Sequence, residues 1–130
     1  MKNLFFGGSS DLAIKLAQKL NNTDGISSNN VKGCYRKFFK IKNYNNLSLK
    51  KLSNKIYDRY DNIIIFNGHY SSSFLSMFND KDFLKNFKIN FLIPIEISSF
   101  VIQNKMLKKN GAIFFISSIA SKESLIGNAY

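Results

Sequence analysis

Cysteine is almost missing from this sequence: Cys34 stands alone, which excludes an internal disulfide framework and cannot by itself hold a zinc ion. A lone thiol fits a reducing compartment, and as a small hydrophobe it is expected to be buried on a strand. Arginine is as scarce, found only at Arg36 and Arg59, so the net charge of +11 rests on lysine. Lysines release counterions from phosphates, which raises the question of a nucleic-acid partner. They are scattered from Lys2 to Lys122, however, and base readout and bidentate phosphate contacts favour arginine. A solvated basic surface is the better reading, and no nucleic-acid partner is expected. Long apolar runs are also missing. The longest, residues 91–102, is too short to span a bilayer and contains Pro94, Glu96, Ser98 and Ser99. The opening Met1-Lys2-Asn3, followed by three apolar residues and Gly7-Gly8, does not make a signal peptide. No cysteines or histidines pair at metal-ligand spacing. These absences lead to the expectation of a soluble, cytoplasmic protein with neither membrane nor metal.

What is present is a globular mix, 45% hydrophobic and 21% charged, in 130 residues, enough for one domain with a real core. Asn3 to Phe6 reads as a short strand that stops at Gly7-Gly8-Ser9-Ser10. Leu12, Ala13, Leu16, Ala17 and Leu20 then recur at helix spacing behind Asp11. Residues 21–30 read as a polar turn region, 31–35 as a second strand and 38–41 as a weak third. Leu47, Leu49, Leu52 and Ile56 suggest a short helix. Ile63-Ile64-Ile65-Phe66 is the strongest strand, apolar on both faces as a buried parallel strand should be, and ends at Asn67-Gly68. One long helix is expected over 80–108, capped by Asn79 or Asp80 and closed at Asn110-Gly111, with a fifth strand over 112–116. Strands alternating with helices predict an α/β fold: a Rossmann-like, doubly wound parallel sheet over residues 1–130, with right-handed crossovers giving strand order 3-2-1-4-5.

In such a sheet a ligand binds beyond the carboxyl ends of the strands, where strand order reverses, here between the first and fourth strands. The turn Gly7-Gly8-Ser9-Ser10-Asp11-Leu12-Ala13 lies there. Its small residues let backbone approach a diphosphate, and the helix that follows presents N–H donors and the positive end of its dipole. Two glycines after a strand are also compatible with a tight turn that holds no ligand.

The segment 6–13 resembles the TGxxxGxG turn of the short-chain dehydrogenase/reductase family, with Gly7 on the first glycine, Asp11 on the second and Ala13 on the third. Ile65-Phe66-Asn67-Gly68 resembles the family's NNAG, Asn90 falls where the family keeps an active-site asparagine, and Ser118 where it places its catalytic serine. Gly127-Asn128-Ala129-Tyr130 resembles the approach to YxxxK. The match runs through the whole chain but only about the first half of a family member.

The resemblance implies an oxidoreductase that moves hydride between NADP (or NAD) and a small carbonyl or alcohol substrate, homo-oligomeric in its full-length form. It places Gly7, Ser9, Ser10, Asp11, Leu12, Asn67 and Gly68 at the cofactor. Ser118 would hydrogen-bond the substrate oxygen. Asn90 would offer its backbone carbonyl to a water, because Pro94 four residues on has no N–H to occupy it. The general acid/base is either Tyr130, which stands one residue short of the usual spacing, or the next position, 131. No lysine follows at the required place, so these 130 residues are expected to be inactive alone and to expose apolar surface beside the fifth strand. Arg36, expected just after the second strand where no acidic residue stands, would pair with a 2′-phosphate and favour NADP. The third strand lacks the family's adenine-contacting aspartate, with Lys40, Lys42 or Asn43 in that region. His69 reads as a loop histidine with no special role. Two other readings remain open: a non-catalytic remnant that keeps this fold, and a basic nucleic-acid-binding module.

Overall fold

The computed structural model describes residues 1–31, 33–69 and 79–117. Strand β1 (Asn3–Phe6) leads into helix α1 (Asp11–Lys19), followed by β2 (Thr23–Ser27), β3 (Lys37–Lys40), α2 (Asn46–Ser53) and β4 (Tyr60–Ile65). Helix α3 (Asp80–Phe87) continues through a π-helical turn at Lys88–Leu92 into α4 (Ile93–Gln103), and β5 (Leu107–Phe115) follows. The strands form one sheet of order β3-β2-β1-β4-β5, every pair parallel. The α/β fold and strand order expected from the sequence are therefore those of the molecule. Among the described residues no helix is long and apolar enough to cross a membrane, and no cluster of ligating side chains could hold a metal.

Each face of the sheet has its own core. Leu4, Phe6, Ile26, Ile63 and Ile65 point to the face covered by α2 and α4, where Leu49, Leu52, Ile97 and Val101 meet them. Phe5 and Phe66 point to the opposite face and pack on Ala13 and Ala17 of α1. Burial on both sides is why the inner strands show no polar alternation.

The second strand corrects the sequence reading. It is Thr23-Asp24-Gly25-Ile26-Ser27, inside the stretch expected to be a turn, and every residue of it is buried. Its polar groups are satisfied one by one. Thr23 donates to the Leu20 carbonyl, Asp24 accepts from Arg36 and Tyr60, and Ser27 donates to Ser9. Val31 and residues 33–35, expected as the strand, lie instead in the connection from β2 to β3. That connection carries no helix among its described residues, and Cys34 sits in it partly exposed rather than on a strand. Burial pushes the Cys34 thiol up, away from the thiolate.

The long helix also differs from its expected form. It ends at Gln103, with Lys105 in the left-handed region (φ 51°), and its interior holds the π turn just ahead of Pro94. Proline lacks a donor and crowds the preceding turn, so the ladder is reset there instead of running straight through. β5 starts earlier than expected and bulges: Tyr60 pairs with Leu107, yet Asn62 pairs with Ala112. Gly111 is needed in that bulge, because a Cβ would lie 2.9 Å from the Tyr60 carbonyl oxygen. Phe114 and Phe115, on opposite faces of β5, and Ile116 just after it are half exposed. An apolar stripe runs along α3 and the π turn, where the rings of Phe83, Phe87 and Phe91 stack in sequence.

An ion network ties together the amino-terminal edge of the sheet. Asp58 meets Lys2 (2.7 Å), Arg36 (2.9 Å) and Lys37 (3.3 Å). These cations, Lys2 foremost, hold the Asp58 carboxyl well below the usual carboxylate range. A carboxyl depressed in the fold contributes stability that is complete above about pH 5 and lost as pH falls through the ordinary carboxylate value of about 4 towards the folded one. The urea midpoint should therefore drop between pH 6 and pH 3, and Asp58→Asn should flatten that drop. Parallel curves for the two proteins would remove Asp58 as its source.

Candidate functional site

The tips of β1, β4 and β5 meet at the carboxyl edge of the sheet. The Phe66 amide donates to the Phe6 carbonyl (2.8 Å) and the Ile116 amide to that of Ile65 (3.1 Å). Strand order reverses between β1 and β4, and the turn from β1 into α1 stands over that point. Gly7 makes the turn possible. Its φ is +73°, and a Cβ there would come within 2.9 Å of the Asn67 amide nitrogen and 3.0 Å of the Phe66 carbonyl carbon. Gly7 and Asn67, both chosen from the sequence, are thus brought into backbone contact.

The rest of the turn is shaped by short bonds. The Ser10 amide donates to the Gly7 carbonyl (3.1 Å), and the Ser10 side chain caps α1 by accepting from the Ala13 amide (3.2 Å). Ser9 accepts from the Ser27 hydroxyl at the end of β2 (2.7 Å). Among the described residues no acceptor within the protein meets the amides of Ser9, Asp11 or Leu12, the last two being first-turn amides with no intrahelical partner. Asp11 is exposed, so its carboxylate is solvated rather than buried among those donors, and Leu12 is exposed beside it. The Asn67 side-chain oxygen is buried and has no hydrogen-bond partner among the described residues.

Two tyrosines that the sequence reading passed over grip the turn. The Tyr44 hydroxyl accepts from the Gly7 amide (2.8 Å) and donates to the Ile26 carbonyl (3.2 Å). Burial pushes its phenol up, against the opposing pull of the Gly7 amide. The Tyr35 hydroxyl donates to the Gly8 carbonyl (2.7 Å), and its phenol too is raised, mainly by burial. The signal was faint: each lies in a polar connection, Cys34-Tyr35-Arg36 and Asn43-Tyr44-Asn45, as an aromatic with a hydroxyl to place.

Across the crevice, Asn90 acts through its side chain. Its oxygen accepts from the His69 amide (2.7 Å) and its nitrogen donates to the His69 carbonyl (2.8 Å), so one carboxamide pins the peptide groups just beyond Gly68. The π turn contains Asn90, and π turns are frequent at functional sites. His69 is therefore held in place, which its solitary position in the sequence did not indicate. Asn90→Ala should speed hydrogen exchange of the His69 amide at least tenfold and cost about 1 kcal/mol, the size of exposed neutral hydrogen bonds. An unchanged exchange rate would show the loop to be held by other contacts.

Arg36 does not join the site. It precedes β3, with its amide on the Thr23 carbonyl (2.8 Å) at the opposite, amino-terminal edge of the sheet. Its guanidinium is engaged by Asp24 and Asp58. The expected 2′-phosphate contact rested on the wrong boundaries for the second strand; β2 ends at Ser27, and Ser28 and Asn29 follow it. Ser118 and Tyr130 lie outside the described residues, while Ser117, just before Ser118, follows the tip of β5.

The turn and its surroundings fit a dinucleotide. Three amides without acceptors, the amino end of α1 and a buried orphan oxygen offer donors to a diphosphate and an acceptor to a ribose hydroxyl. No protein-family model matches the chain, and no curated protein does. Solved structures do. One is a short chain dehydrogenase family protein from Francisella tularensis, at 17% identity and TM-score 0.78, over 98% of this chain and 55% of that one. The aldohexose dehydrogenase of Thermoplasma acidophilum aligns at 14% identity and TM-score 0.83, over 98% and 53%. A short-chain dehydrogenase/reductase from Serratia marcescens aligns at 14% identity and TM-score 0.81, over 98% and 60%. The chain spans less than two thirds of the length of each, and it shares their fold.

Proposed function

We propose that this chain is the dinucleotide-binding part of an NAD(P)-dependent oxidoreductase of the short-chain dehydrogenase/reductase type, acting on a carbonyl or alcohol. The reading rests above all on the turn at Gly7: donor amides without acceptors stand at a helix start, at the point where strand order reverses. The amides of Ser9, Asp11 and Leu12 would hold the diphosphate, with Gly7 and Gly68 keeping side chains out of the way. The free oxygen of Asn67 would accept a ribose hydroxyl. NAD(P), when bound, supplies or takes up the hydride.

The Asn90 carboxamide would hold the His69 peptide groups in place on the far side of the crevice. Ser118 would hydrogen-bond the substrate oxygen, and Tyr130 or the position after it would move the proton. The 2′-phosphate of NADP is admitted because β2 ends at Ser27, followed by Ser28 and Asn29, rather than at a repelling carboxylate. The half-exposed rings of Phe87 and Phe91 are consistent with an assembled full-length form.

The 130 residues contain no Tyr-x-x-x-Lys, so binding and turnover should separate. Titrated with NADPH and with NADH, the chain should bind both, NADPH no more weakly, yet oxidise neither in the presence of carbonyl compounds. Failure to bind either dinucleotide would sink the cofactor assignment. Robust carbonyl-dependent oxidation would sink the expected inactivity.

A further inference from the structure

The connection from β2 to β3, residues 28–36, is shorter than the dozen or more residues that usually carry a parallel crossover, and its described part has no helix. The sheet face beside α1 would be left open there, but the Tyr35 ring covers it. The ring lies flat on Gly25, where a Cβ would stand 2.8 Å from three of its carbons, and meets Phe5 edge-on at 6.2 Å between centroids. From that seat its hydroxyl reaches the Gly8 carbonyl. Tyr44 belongs to the other core, beside Phe6, and reaches the Gly7 amide from the opposite face of the sheet. Two phenols, one from each face, therefore fix consecutive residues of a single turn.

We propose that Tyr35 and Tyr44 are positioning residues, which orient the Gly7–Gly8 peptide groups so that the amides that follow converge on the diphosphate of the cofactor. The proposal rests on the dinucleotide reading above and extends it to residues outside the glycine turn. Neither phenol touches the ligand: each acts through backbone. Pinning the Gly8 carbonyl fixes the orientation of the peptide whose N–H is the free amide of Ser9. The Gly7 amide is held by the Tyr44 hydroxyl, while backbone bonds from the Phe66 amide to the Phe6 carbonyl and from the Gly8 amide to the Ile26 carbonyl (2.9 Å) tie the peptide groups on either side of its φ. A turn ordered in advance binds more tightly because less freedom remains to be lost on binding. Gly25 is part of the same device, since any larger residue there would lift the Tyr35 ring from its seat.

The test compares the 130-residue chain with Tyr35→Phe and Tyr44→Phe, which keep both rings and remove only the hydroxyls. ADP serves as a minimal diphosphate probe and NADPH as the complete cofactor. Each variant should weaken ADP and NADPH by roughly three- to tenfold, the scale of one neutral hydrogen bond, with losses that multiply in the double variant. Amide exchange at Gly8, Ser9 and Ser10 should accelerate, while that at Ile63 to Ile65 stays unchanged. Gly25→Ala should reproduce the Tyr35→Phe loss at the turn. If the unaltered chain binds ADP and both variants bind it within twofold, the phenols are structural only and the proposal is overturned, whatever happens to thermal stability. If the unaltered chain binds neither ADP nor NADPH, the cofactor reading fails first and takes this one with it.

Discussion

Arg36→Leu should destabilise the fold by about 3–5 kcal/mol, the cost of leaving a buried charge without its partner. Asp24 has no exposed side-chain surface, and its carboxylate is met by the Arg36 Nε (2.9 Å), the Arg36 Nη2 and the Tyr60 hydroxyl (2.8 Å). The guanidinium is about one third exposed, so it loses less hydration in the pair than the carboxylate does. Removing it leaves an ion in the core with one neutral donor. Asp24→Asn in the same background should recover most of the loss, because an amide can still accept from Tyr60 and carries no charge. A chemical denaturation series on the single and double variants measures both effects. A single-variant loss below about 1 kcal/mol, typical of a surface ion pair, would mean that water reaches Asp24. Dinucleotide affinity measured below the unfolding range should not change, since Arg36 stands at the edge of the sheet away from the glycine turn.

That placement also marks where the sequence misled. β1, β4 and the start of α1 were legible because their own composition drives them: Ile63-Ile64-Ile65 has nowhere to go but a buried strand, and Ser10 caps the helix that Ala13 and Ala17 pack against the sheet. β2 was not legible. Thr-Asp-Gly-Ile-Ser has the composition of a turn, and only tertiary partners make it a strand: Arg36 for Asp24, the Tyr35 ring for Gly25, Ser9 for Ser27. None of these partners is local, so no window along the chain reveals them. Once β2 was misplaced, Arg36 appeared to follow it and acquired a role at the cofactor that its position denies. The long helix was legible through Pro94, because its apolar pattern continues across the proline; the π turn that absorbs Pro94 and the end at Gln103 were not. The candidate site was readable where it depends on backbone, at Gly7 and Asn67. It was hidden where side chains act on backbone from a distance, as Tyr35, Tyr44 and the carboxamide of Asn90 do.

Gly7→Ala should lower dinucleotide affinity by at least roughly thirtyfold while leaving a folded protein. Two effects add at this position. A left-handed φ costs an L-residue about 1–2 kcal/mol. The new methyl would also sit 2.9 Å from the Asn67 amide nitrogen and 3.0 Å from the Phe66 carbonyl carbon, atoms of backbone that cannot rotate away. Crowding of that kind typically costs a further 1–3 kcal/mol or so. Relief requires the turn to move off the tip of β4, which takes the Ser9, Asp11 and Leu12 amides with it. About 2 kcal/mol falling on the bound state corresponds to the thirtyfold loss. Gly33 supplies the control, because its φ is +80° and a Cβ there would meet nothing within 4 Å. Gly33→Ala carries the same backbone strain without the collision, so it should cost stability and leave cofactor affinity alone. If the two substitutions weakened NADPH binding equally, close approach of turn to strand would not be what shapes the site. The effect would then reduce to a general loosening of the fold, and Gly7 would have no special claim on the diphosphate.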